Sequence, residues 1–186
     1  MAGVDLTKKT EDEIEMKEPF IVGIGASAGG LEALQQFFQH MPENSGLSFV
    51  VIQHLSPDYK SLMADILGKR TQMAVLQVEN EMEVLPDTVY LIPPKKNMTL
   101  QGDRLILTEY AHRMLNHPID VFFTSLAREQ KERAIAVVLS GTGSDGTGGV
   151  KAVKEQGGLV IVQKPETAKF DGMPRSVINT GLADFV

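Results

Sequence analysis

The 186-residue sequence contains no cysteine, which excludes disulfides, thiolate catalysis and cysteine metal sites. Lysine and arginine never run beyond two in a row, and the formal net charge is -6. Neither a phosphate-tracking nucleic-acid surface nor a polybasic membrane patch is expected from such a chain. No apolar run approaches the roughly 20 residues of a membrane-spanning helix, and the polar, acidic start is unlike a secretory signal. The expectations are a cytoplasmic location, no nucleic-acid partner and no direct membrane insertion. No predicted helix carries a His-x-x-x-His or Glu-x-x-His pair, so no metal site is expected.

What is present fits one globular unit. An apolar content of 42% over this length can fill one good-sized core. Residues 1–19 are charged and aperiodic and read as a disordered tail or linker, leaving 20–186 as the folded domain. Short apolar runs of buried-strand type fall at 20–25, 49–52, 73–78, 88–92, 134–139 and 159–162. Between them, Leu31, Leu34, Phe38 and Met41 recur at helical spacing, as do Leu62, Met63, Ile66 and Leu67, and then Ile119, Phe122, Phe123 and Leu126. Segments 98–101 and 104–108 flank Gly102-Asp103 and read as a hairpin. Pro174 suits the first turn of a last helix, which Gly181 would stop. Continuous apolar strands alternating with helices predict an α/β, doubly wound, mostly parallel sheet with helices on both faces and one antiparallel hairpin.

Ligands of such sheets bind beyond the carboxyl ends of the strands. Three reactive side chains follow predicted strands there: Ser27, His54 and Asp145. A hydroxyl, an imidazole and a carboxylate at one sheet edge are the ingredients of a nucleophilic triad. Gly25-Ala26-Ser27-Ala28-Gly29 fits the G-x-S-x-G turn, in which small neighbours let a serine stand on a tight strand-to-helix bend. The histidine order argues against an ordinary α/β-hydrolase, where histidine comes last of the three. Gly23-x-Gly25-x-x-Ala28 also fits a dinucleotide fingerprint, but that reading wants an acid at the end of the second strand, where Gln53 and His54 stand. Alone, His54 could be a structural strand-end residue, and Asp145 could cap a helix over 146–156. The loop 141–149 is glycine-rich, yet it lacks the Lys-Ser/Thr ending of a phosphate loop. His40 reads as a surface residue at a helix end.

With these segments in view, the chain resembles the catalytic domain of the chemotaxis protein-glutamate methylesterases (CheB). The resemblance runs from about Phe20 to Val186 and rests on four ordered stretches: 23–30, 50–55, 140–146 and Gly172-Met-Pro-Arg175. It implies Ser27 as nucleophile, His54 as general base and Asp145 as the group that orients His54. The backbone amides of Ala28 and Thr142 are the expected oxyanion donors, and no cofactor is implied. The implied substrate is a glutamyl γ-methyl ester on methylated chemoreceptor helices, with glutamine deamidation as a side activity. Thr142 and Ser144 depart from the Met and Asn of many relatives. A receiver domain, which response-regulator members carry ahead of the esterase, is not among these residues. The stretches 118–123 and 171–179 look closer to proteins that fuse the esterase to a receptor methyltransferase. They suggest a longer parent chain with methyltransferase and sensor domains. Two other readings stay open from sequence: a dinucleotide-binding, Rossmann-like protein, and a non-catalytic receptor-binding module.

Overall fold

The computed structural model describes residues 19–53, 62–110 and 116–186. His54 and all of the expected tail except Pro19 lie outside the described residues. Six strands form one parallel sheet: β1 (Phe20–Ala26), β2 (Leu47–Gln53), β3 (Ala74–Gln77), β5 (Thr88–Leu91), β8 (Ile135–Val138) and β9 (Leu159–Val162), in the order β3-β5-β2-β1-β8-β9. A separate antiparallel sheet has the order β4-β7-β6, with β4 at Met82–Glu83, β6 at Lys96–Gln101 and β7 at Arg104–Glu109. The expected hairpin is β6–β7. It gains a third strand, β4, which is too short to carry a periodic signal of its own.

Alternation along the strands divides the apolar side chains between two cores, one on each face. Val22, Ile24 and Ala26 of β1 join Phe49 and Val51 of β2 against α1 (Gly30–His40) and α2 (Leu62–Gly68), which bring Leu34, Phe38, Met63 and Leu67. Phe37, Phe38 and Phe49 meet edge-to-face there, with centroids 5.2–5.9 Å apart. The opposite face buries Ile21, Val50, Ile52 and Tyr90 under α3 (Pro118–Gln130), α4 (Thr147–Glu155), α5 (Gly172–Ile178) and the antiparallel sheet. Phe122 and Phe123 are fully enclosed and stabilise by about 1.5–3 kcal/mol each through burial. The doubly wound, mostly parallel architecture with helices on both faces is thus the one the apolar runs predict. Among the described residues no helix is long and apolar enough to cross a membrane.

On the α3 face, β1 presents Gly23 and Gly25 where its neighbours present bulk. A Cβ on Gly25 would stand 2.6 Å from Ile119 Cγ2, and one on Gly23 would stand 3.0 Å from Phe123. The Gly23-x-Gly25 spacing therefore has a packing cause: it lets α3 lie directly on the central strand. From β1 the chain winds to β2 on one side, and from β8 it winds to β9 on the other. The strand order reverses between β1 and β8, which puts the crevice of this fold at their carboxyl ends.

Candidate active site

That crevice is where Ser27 stands. The Ser27 carbonyl accepts the Gly30 N–H at 2.9 Å, closing a tight turn, and Gly29 takes φ 70° as the N-cap of α1. A left-handed residue at this point strongly favours glycine. The Ser27 N–H donates to the Ser140 carbonyl at 3.0 Å, so the turn is tied to the loop that follows β8. The sequence motif and the bend coincide: strand, serine, helix N-terminus within four residues.

The loop after β8 carries Thr142, Gly143 and Ser144 exposed, then buries Asp145 to 9% exposure. Asp145 does not cap the helix next to it, because Gly146 holds the N-cap position of α4. Its carboxylate reaches α3 instead, where Oδ2 accepts the Ile119 N–H at 3.1 Å and Oδ1 accepts the Asp120 N–H at 3.0 Å. The reason is local to α3. Pro118 opens the helix without an N–H, and the next two amides have no intrahelical acceptor. One carboxylate satisfies both and faces the positive end of the helix.

Of the three residues that sequence brings to this edge, Ser27 and Asp145 are thus placed on adjoining segments. His54 lies outside the described residues. The last residue of β2, Gln53, pairs in register with Ala26, the residue before Ser27. The amides of Ala28 and Thr142 have no hydrogen-bond acceptor among the described residues.

The sequence pattern does not single out three further residues that gather at Asp145. His117 sits half-exposed with Nδ1 3.8 Å from Asp145 Oδ1. Burial pushes the Asp120 carboxyl above its usual range; the charge of Asp145 adds to this, and the Gly149 N–H, bound at 2.7 Å, and His117 oppose it. Burial also pushes the Tyr110 phenol up, with Asp145 reinforcing the effect. A histidine directly before Pro118 at a helix start was the available signal for His117. The ligand atoms of His117, Asp120 and Asp145 lie within 4.8 Å of one another, a spacing that could accommodate a cation. Helix capping already accounts for the convergence, because backbone amides engage both Asp145 oxygens and Asp120 Oδ1.

These features define an α/β protein with a serine on a strand-to-helix bend at the switch point of a parallel sheet, tied by its N–H to the loop that carries a buried, amide-bound carboxylate. The model of the CheB methylesterase family matches residues 22–186, and the chain belongs to that family. A Rhodobacter capsulatus protein described as an uncharacterized 104.1 kDa protein in the hypE 3' region is 57% identical over 122 residues, covering 66% of this chain and 13% of that protein. A protein-glutamate methylesterase/protein-glutamine glutaminase of Desulfitobacterium hafniense is 36% identical over 172 residues, covering 89% of this chain and 44% of the relative. The chain thus spans less than half the length of either relative. The crystal structure of the Thermotoga maritima CheB methylesterase catalytic domain superposes with a TM-score of 0.83 at 34% identity, covering 91% of this chain and 92% of that one.

Proposed function

We propose that this chain hydrolyses glutamyl γ-methyl esters on chemoreceptor helices, with Ser27, His54 and Asp145 as nucleophile, base and orienting acid. The observation that carries the reading is the pairing of two fixed segments: the Ser27 turn, bonded to the Ser140 carbonyl, and the Asp145 carboxylate, held by two α3 amides on the same loop. Family membership supplies the substrate class. Ser27 Oγ gives its proton to His54 and attacks the ester carbonyl, and the oxyanion is received by the amides of Ala28 and Thr142. The tetrahedral species collapses, His54 returns the proton to the methoxide, and methanol leaves. Water, deprotonated by His54, then cleaves the acyl-serine to release glutamate and restore Ser27. Asp145 keeps His54 in the tautomer that can accept the proton. The same cycle on glutamine would release ammonia.

In this reading the protein works in the cytoplasm on methylated receptor helices, within a longer chain that carries methyltransferase and sensor domains. Residues 20–186 act as the catalytic domain and residues 1–19 as a tail or linker. The test is methanol release from a methylated receptor preparation. Wild-type protein should release it, and Ser27→Ala should lose about 10⁵- to 10⁶-fold in rate with an unchanged circular dichroism spectrum. A variant retaining a tenth of the wild-type rate would remove Ser27 from the mechanism.

A further inference from the structure

Ser140 is 1% exposed, and its polar groups join three segments of the chain: the Ser27–Ala28 turn, Gln163 and Phe170. Its carbonyl takes the Ser27 N–H, and its own N–H donates to Gln163 Oε1 at 2.8 Å. Its hydroxyl donates to the Ala28 carbonyl at 2.8 Å and accepts the Phe170 N–H at 3.0 Å. The Phe170 carbonyl in turn accepts the Gly141 N–H at 2.9 Å, so residue 170 clasps the loop from both sides. Gly29 leaves room for this contact, since a Cβ there would stand 2.7 Å from Ser140 Oγ.

We propose that the Ser140 hydroxyl is a positioning group of the nucleophile turn, fixing the Ala28–Gly29 peptide so that the turn holds Ser27 and the Ala28 amide toward the reacting carbonyl. A trans peptide carries its C=O and N–H on opposite edges. Holding Ala28 O against Ser140 therefore turns the Gly29 N–H the other way, and that N–H has no acceptor among the described residues. The preceding peptide is fixed by Gly30 N–H on Ser27 O. Both planes flanking Ala28 are thus held, one by the turn itself and one by a hydroxyl 112 residues away. A shift of the turn changes the angle of attack and the oxyanion geometry together, while receptor binding elsewhere is untouched.

The inference rests on the proposed hydrolase reading, and two readouts keep them separable. One is methanol release; the other is phosphonylation of Ser27 by a fluorophosphonate probe, with both rates expressed per folded molecule. Ser140→Ala should lower kcat and the phosphonylation rate about 10- to 100-fold while KM holds within about two-fold. Ser140→Thr keeps the hydroxyl and should recover most of the rate. Ser140→Ala with wild-type rates would overturn the proposal. So would a loss confined to the folded fraction in a thermal melt, or equal losses per folded molecule in the Ala and Thr variants. If wild-type protein is phosphonylated at Ser27 but releases no methanol, the methylesterase reading fails alone, and the phosphonylation rates still decide the role of Ser140.

Discussion

The two ends of the parallel sheet use buried polar side chains differently. At the amino ends, Ser48 and Thr88 face each other across the β2–β5 pair, and each satisfies one loop carbonyl: Leu85 O at 2.6 Å and Pro86 O at 3.0 Å. A hollow of about 370 Å³ lies at the same end, beside Pro19, Ile21 and Asp103, and Arg133 stacks over the exposed ring of Phe20 at 5.0 Å. At the carboxyl ends, Ser140 binds groups on three separate segments, and Asp145 binds two consecutive amides of α3. One set of hydroxyls closes loops onto the sheet. At the other edge, the Ser140 hydroxyl and the Asp145 carboxylate tie separate segments of the chain to one another. Satisfying a single loop carbonyl and bracing two or more backbone groups are separate tasks, and these residues divide them between opposite edges.

A direct test of that division is Asp145→Asn, which should lower the hydrolysis rate about 10⁴-fold. The amide keeps one oxygen for an α3 amide but turns its NH₂ toward the other, so stability should also fall by about 1–3 kcal/mol. Rates corrected for the folded fraction, read beside a denaturant titration, separate the two effects. A rate loss fully explained by unfolding would reduce Asp145 to a cap. The next effect sharpens which histidine the carboxylate serves. His54→Ala should approach the Ser27→Ala loss, whereas His117→Gln should stay within about ten-fold of wild type, less than a lost general base would cost. The reverse order in steady-state assays would make His117 the working partner. The smallest effect belongs to the amino end. Ser48→Ala should lower stability by about 0.5–1.5 kcal/mol and leave the rate per folded molecule unchanged. A fall in that rate would break the contrast between the two edges.

Local pattern was enough to read the parallel sheet, because each of its strands overlaps one short apolar run set off by turns or helices. The same holds for the Ser27 bend, where small residues and the strand end coincide in one short motif. Pairings across long sequence separations were not legible. Asp145 reads from its neighbours as a cap for the helix just after it, and in fact it caps one that begins 27 residues earlier in the chain. Strand β4 has two residues and exists only because β7 offers it an edge. Gly23 and Gly25 suggest a ligand by spacing alone, and they yield to helix packing once Ile119 and Phe123 are seen against them. The role of Ser140 is hidden for a related reason, since nothing in a single hydroxyl announces which carbonyl it will meet.

Ile119 gives the close packing of α3 on β1 a practical meaning for anyone redesigning this scaffold. Its side chain fills the space that a Cβ on Gly25 or on Gly146 would need, at 2.6 and 3.0 Å, and its own N–H is one of the two that hold Asp145. The strand that delivers the serine and the loop that delivers the acid therefore share one spacer. Graft β1 and its turn into another sheet without α3, and the carboxylate loses its backbone anchor. Enlarge residue 25 in place, and the helix that retreats takes Asp145 with it. The contact of Ile119 binds three non-adjacent pieces of chain (β1 with its turn, the first turn of α3, and the loop after β8), to be moved together or not at all.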